Sequence, residues 1–342
     1  MGAVRYHAPM RSSLSELLKT KPVLLADGAT GTNYFSAGLT SGEPPEFWSA
    51  ERPEEVKALH QAFVDAGADI ILTNTFGCNA HRLKLHNAAA RAHELARQAA
   101  QLARAVADAA ARPIVVAGSV GPTGELFTPL GALTHEAAVE SFMTQMHGLR
   151  EGGADVAWIE TMSSPEEVAA AAEAATAAGL PYVVTYSFDT AGRTMMGLLP
   201  GALGESVASQ PIAPVAVGAN CGVGASDILV SLLQMQDLPY ALVSKGNCGV
   251  PHFEGTEVVY SGTPELMASY ARLAMDAGAR IIGGCCGTTP AHLAAMRAAI
   301  DAHTPGEPPT LETIIDEIGP LTNAPPAAKD KRATRRVRRP SV

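Results

Sequence analysis

Three of the five cysteines stand where thiol chemistry is easy to build. Cys285 and Cys286 are adjacent, between Gly284 and Gly287, in the stretch IIGGCCGTTPAHL. Neighbouring side chains on a regular strand point to opposite faces, so this pair cannot converge within an ideal strand. Glycine on both sides lets the backbone leave strand geometry there. Two thiolates alone hold zinc poorly. A third candidate, Cys221 in VGANCG, also follows a short apolar run and precedes glycine. Three thiolates would leave one open position on a tetrahedral Zn²⁺, the arrangement of a catalytic site. The spacing is not that of a CxxC finger, and a vicinal disulfide or inert buried thiols are the competing readings. Cys248, beside Asn247, reads as a small buried residue, Cys78 starts a polar stretch and is assigned no role, and no histidines pair at HxxxH spacing.

Positioning these thiols requires a scaffold that brings distant strand ends together. Short apolar runs begin at Pro22, Ala68, Pro113, Asp155, Tyr182, Val215, Tyr240 and Arg280. Each is followed by a polar or glycine-rich cluster, and helical periodicity follows most of them, as over Pro53 to Ala66, Pro264 to Ala277 and Pro290 to Ala302. Runs that are apolar throughout fit buried parallel strands. Eight strand-then-helix units in about 290 residues fit a single-domain (β/α)8 TIM barrel. No G-x-G-x-x-G follows the first strand, which argues against a doubly wound sheet. In a barrel all strand C-termini meet at one rim, so Cys221 would approach Cys285 and Cys286 there. The barrel is expected over residues 15–302, after a lead-in of 1–14 and before a proline-containing, basic tail expected to be unstructured, 303–342.

The 342 residues are 47% hydrophobic, enough for a full core, and the net charge is −9. Seven Lys/Arg and one Asp lie between Leu321 and Val342, so the body is strongly acidic. That excludes a general basic surface for nucleic acid. No run approaches a membrane span, and the first residues lack the apolar stretch of a secretory signal. A reducing cytoplasm is the expected setting, where cysteines serve as ligands or free thiols.

Asp27 and Glu160 are acids at the ends of the first and fourth strands. At a rim they could bind an ammonium group, act as general acid and base, or cap loop amides. Gly28, Gly118 and Gly121 permit close approach of backbone N–H groups to a carboxylate. DGATGT, ADIILTNTFG, GSVGPTGE, IET, SFDTAGRTMMG, GANCGVG and GGCCGTTPAHL, in that order, resemble the homocysteine S-methyltransferase family across about residues 20–300. The resemblance implies a zinc-bearing barrel that transfers a methyl group to the thiol of homocysteine, forming methionine. It implies that Cys221, Cys285 and Cys286 hold Zn²⁺ and that Asp27 and Glu160 sit at the homocysteine amine, with Gly28 near the amino-acid end. Asn247, in KGNCGVP, matches a family position beside the metal, and the resemblance implies a place for it at the substrate site, in the open position before substrate arrives.

The donor is less defined. Betaine-using members carry an aromatic pair after the second strand, where this chain has Phe76-Gly77, so one ring is missing. Phe47 and Trp48, in the loop after the first strand, are candidates to supply rings for a cation pocket. NTFG, GPTGE and CCGTTP are similar to the homocysteine module of cobalamin-dependent methionine synthase, which implies a methylated corrinoid on a separate protein. Betaine is the other expected donor, and S-methylmethionine or another sulfonium is the alternative. A non-enzymatic zinc or redox protein would explain the thiols but not the acids and glycines around them.

Overall fold

The computed structural model describes residues 11–249, 251–254 and 257–322. Eight parallel strands alternate with helices. They are β1 (Leu24–Leu25), β2 (Ile70–Leu72), β3 (Val115–Val120), β4 (Val156–Met162), β5 (Tyr182–Tyr186), β6 (Ala216–Cys221), β7 (Ala241–Gly246) and, after an antiparallel hairpin of β8 (Pro251–Glu254) and β9 (Glu257–Tyr260), β10 (Ala279–Gly284). The order round the sheet is β1-β10-β7-β6-β5-β4-β3-β2. A parallel bridge between Ala26 and Ile70 brings the ends together, so the sheet closes as the expected (β/α)8 barrel.

Strand alternation divides the core into two layers. Leu24, Ala26, Ile70, Leu72, Val115, Ala117, Val156, Trp158, Val183, Ala216, Val243 and Ile281 fill the lumen. The other strand faces pack against the alanine-rich helices, such as Ala92–Ala109 and Pro165–Ala177. Small helix residues let these helices lie close to the barrel and to each other: a Cβ on Gly148 would come within 2.4 Å of the His93 carbonyl oxygen. A helix absent from the sequence expectation, Leu14–Thr20, closes the lumen from below with Leu14 and Leu17. Its capping box, Ser13 with Glu16, marks the start.

The strands outrun their apolar runs. Glu160 lies inside β4, Asn220 and Cys221 inside β6, and Lys245 inside β7. Continuing the lumen alternation upward puts Ser119 above Ala117, Glu160 above Trp158, Thr185 above Val183 and Lys245 above Val243. A buried polar layer therefore sits directly on the apolar one.

The boundary expected at residue 303 moves. The helix Leu311–Glu317 buries Ile314 completely, and Ser226 donates to the Gly319 carbonyl at 2.8 Å. His303 Nε2 lies 2.7 Å from Asp276 Oδ1. The segment through Thr322 packs on the barrel because its apolar residues recur at helical spacing, a short signal masked by flanking prolines. The basic stretch expected to be unstructured, from Asn323 on, lies outside the described residues. Among the described residues no helix is long and apolar enough to cross a membrane.

His60, on the helix Pro53–Asp65, is buried, and neither ring nitrogen has a hydrogen-bond partner among the described residues. Burial pulls its pKa down to about 4. Between that value and about 6.5 the unfolded chain takes up a proton that the native state refuses, so stability falls as pH drops. The full loss is roughly 3 kcal/mol. Urea unfolding at pH 7.5 and pH 4.5 should show most of it, and His60→Leu should remove that part of the acid sensitivity. An equal loss in both proteins would clear His60 of any role.

Candidate metal and substrate site

The rim encloses a cavity of about 420 Å³, whose walls include Gly28, Glu46, Phe76, Glu160, Lys245 and all three candidate cysteines. Cys221, Cys285 and Cys286 offer sulfur atoms that lie within 4.8 Å of one another, with 4.0 Å between Cys221 and Cys286. Tetrahedral thiolates about 2.3 Å from a zinc ion lie about 3.8 Å apart, so the donor set fits the metal. All five cysteines are free thiols in this structure.

The adjacent pair converges because β10 stops at Gly284. Cys285 N–H donates to the Gly246 carbonyl at 2.7 Å, and Thr288 Oγ1 donates to the Cys285 carbonyl at 2.6 Å. This turn, completed by Gly287 at φ 79°, aims both thiols inward. A Cβ on Gly284 would meet Thr288 at 2.3 Å, so only glycine admits the turn-holding threonine. Cys221 itself takes φ 59°, a left-handed conformation that costs a non-glycine residue free energy and re-aims its thiol off the strand. Hydrogen bonds from Cys221 and Cys285 pull the Cys286 thiol down to about 3, and hydrogen bonds with Cys285 and Cys286 push Cys221 up.

Asn247 holds the two ligand loops together. Its Nδ2 donates to the Gly222 carbonyl at 2.9 Å and its Oδ1 accepts from Cys286 N–H at 3.1 Å. Both polar atoms are engaged, and the side chain does not line the cavity. Through these two bonds it ties the loops together. Cys248 donates its backbone N–H to the Cys286 carbonyl at 2.9 Å, and burial pushes its thiol up to about 11. Cys78 is fully buried away from the cluster.

The two acids differ. Glu160 lines the cavity, with Ser119 Oγ 2.5 Å from its Oε1. Burial pushes it up to about 7 against the opposing pull of Lys245. Asp27 lies behind the wall. Its Oδ1 accepts from Lys245 Nζ at 2.9 Å and its Oδ2 from Leu72 N–H at 2.7 Å. Burial raises Asp27, and Lys245 again opposes the rise. Lys245 is held above its usual value: burial disfavours its charge, but Asp27 and Glu160 outweigh that. Gly28 lines the wall beside them, and a Cβ there would meet Thr288 Oγ1 at 2.8 Å.

Of the three expected donor-side rings, one faces the cavity. Phe76 lines it and is 37% exposed, with its ring against Gly121. Trp48 is fully buried among Tyr34, Leu39 and Val56, with Nε1 donating to Glu43 at 2.8 Å. Phe47 packs on the core beside His86 and under the Arg91 guanidinium. Both were placed at the donor side because their loop follows β1, but the loop folds over the outer helices and turns them away. Sequence reasoning missed Phe35, 54% exposed on the cavity wall, and Glu46, a buried carboxylate accepting from Gly77 N–H at 2.6 Å. It also missed Lys245 and Tyr260, whose hydroxyl hydrogen-bonds Cys286 from the end of the hairpin. For Lys245 the signal was there: a lysine in an apolar strand position. Asn220 was passed over as well. It accepts from Thr161 N–H at 2.8 Å and Thr185 Oγ1 at 2.7 Å, locking β4, β5 and β6 beneath Cys221.

Comparison with known proteins agrees with this arrangement. The family model for homocysteine S-methyltransferase matches residues 24–300. Methionine synthase from Mycobacterium leprae is 30% identical over 339 residues, 92% of this chain and 28% of that protein. Its counterpart from Mycobacterium tuberculosis is 31% identical over 297 residues, covering 81% of this chain and 24% of that protein. The chain thus spans about a quarter of the length of these curated relatives. The metallated form of the homocysteine methyltransferase MmuM from Escherichia coli superposes with a TM-score of 0.69 at 27% identity, covering 83% of this chain and 98% of that one. With the three-cysteine cluster at the mouth of a (β/α)8 barrel and the family match running through all eight strands, this chain belongs to the homocysteine S-methyltransferase family.

Proposed function

We propose that this protein binds Zn²⁺ through Cys221, Cys285 and Cys286 and transfers a methyl group to the thiol of homocysteine, yielding methionine. The convergence of three thiols on a cavity that also exposes Glu160 carries this reading. Zinc at this cluster would hold the homocysteine sulfur as a thiolate at neutral pH, the form that attacks a methyl group. The protein's own groups do the rest. Glu160 takes the substrate ammonium by a charge-assisted hydrogen bond, with Ser119 fixing its carboxylate. Asp27 acts from behind through Lys245. Gly28 allows close approach of backbone to the amino-acid end. Asn247 and Asn220 keep the ligand loops in register. The tight turns and buried walls keep the thiols aimed at one point and limit water there.

Phe76, Phe35 and the buried Glu46 line the same cavity, which supports a cationic donor such as betaine or another methylated onium compound, S-methylmethionine included. The second reading, a methylated corrinoid brought by a separate protein, is supported by the alignment with methionine synthases over most of this chain. Methionine formation by zinc-loaded protein, with betaine, S-methylmethionine and methylcobalamin offered separately, tests both. No methionine from any of them would refute the proposal. With an onium donor, Phe76→Ala should raise the donor KM about tenfold while the homocysteine KM stays near wild type. Trp48→Phe should leave the donor KM alone. Equal effects of the two substitutions would show that the wall is misassigned.

A further inference from the structure

We propose that Lys245 anchors the α-carboxylate of the bound amino acid and that Asp27 is the positioning residue that holds it there; this rests on the reading of the cavity as a homocysteine site.

Lys245 is the cationic side chain among those lining the cavity, whose other charged members besides the cysteines are Glu46 and Glu160. Its side chain is 3% exposed and that of Asp27 1% exposed. A lysine buried this deeply needs a reason, because desolvating an ammonium is costly unless it is paired. Asp27 supplies one partner at 2.9 Å. The face of Trp158 lies below, with Nζ 5.8 Å from the ring centroid. An ammonium has three donors, and Asp27 accepts one of them. With Asp27 to one side and the indole beneath, the remaining direction is the cavity.

The wall is matched to a zwitterion. The ammonium and carboxylate of an α-amino acid leave one carbon, so they need opposite charges side by side. Glu160 and Lys245 supply that pair, each within electrostatic reach of the other. Asp27 is engaged by Lys245 Nζ and Leu72 N–H from behind the wall, so Glu160 is the acid that stands beside Lys245 among the lining residues. If Lys245 only neutralised Asp27, it would have no need to form part of the wall. Gly28 lies on the same wall, where backbone can approach the same carboxylate.

The test uses zinc-loaded, full-length protein and two thiols: homocysteine, and 3-amino-1-propanethiol, which keeps the amine and lacks the carboxylate. Binding is read by calorimetry and turnover by the split between KM and kcat. Wild type should bind the carboxylate-free thiol about 30-fold more weakly than homocysteine. Lys245→Met should weaken homocysteine by about the same factor and change the carboxylate-free thiol by less than about threefold. Lys245→Met with Asp27→Asn removes both buried charges and provides the same readout should the single variant fail to fold. Equal weakening of both thiols would overturn the inference, leaving Lys245 as a structural partner of Asp27. So would homocysteine binding unchanged by the substitution. Failure of wild type to bind homocysteine at all would overturn the proposed function and this inference together, so the two failures are distinguishable.

Discussion

Replacing Cys285 or Cys286 by serine is expected to remove the metal and cut methionine formation by more than about 100-fold. That bound is conservative. Substitutions of residues that merely support a ligand already cost about 10–100-fold, and here a ligand itself is lost. Serine keeps the shape of the turn, so Cys285→Ser retains the backbone contacts to Gly246 and Thr288. What it loses is a thiolate, which a hydroxyl does not replace at neutral pH. Two remaining thiolates, with Asn247 and Asn220 committed elsewhere, leave the zinc short of ligands. Metal content per chain and initial rate, measured on the same preparations, check this. A serine variant that keeps full activity with no bound metal would end the zinc mechanism.

Glu160→Gln should lower kcat/KM for homocysteine by about 100-fold, close to 3 kcal/mol, because it removes the charged partner of a desolvated ammonium. It should also change the pH profile. Glu160 sits at about 7 because burial disfavours its charge more than Lys245 restores it. The ammonium of the substrate needs the ionised form, so binding weakens as pH falls through about 7. The substrate thiol must lose its own proton as well. Below neutrality, log kcat/KM of wild type should therefore rise with a slope approaching two, and that of Glu160→Gln with a slope of one. The same raised value has the opposite sign for stability. Between the ordinary carboxylate range and about 7 the native state holds a proton that the unfolded chain has lost, so this group destabilises the fold as pH rises through that window. Activity and stability are expected to move in opposite directions with pH at this residue. Identical slopes for the two proteins would remove Glu160 from the substrate site.

The three-cysteine cluster was legible in the sequence because its logic is local and then topological. Cysteines at the ends of apolar runs, counted within eight strand-then-helix units, must meet at one rim. Glu160 was legible on the same ground. The helices Pro264–Asp276 and Pro290–Ala302 were legible from their proline starts and periodicity. Strand ends were not, because Gly118-Ser119, Asn220-Cys221 and Lys245-Gly246 are polar or glycine where a buried strand is expected to be apolar. Those residues are in strands because the lumen above Trp158 opens into the rim cavity, where polar side chains pair with one another in place of apolar packing.

Composition, spacing and motif order by themselves determined the barrel, the three converging thiols and the family. Tertiary structure decided which polar groups face the cavity. Asp27 meets Lys245 across 218 residues of chain, and no local period encodes that pairing. Trp48 is buried by Tyr34 and its own helix neighbours, so a ring that the loop position offered to the donor became core. Ile314 drew the segment after residue 303 onto the barrel by finding an apolar surface there. Periodicity reports what one segment buries on one face; charge pairing and side-chain direction depend on what the closed barrel brings opposite it.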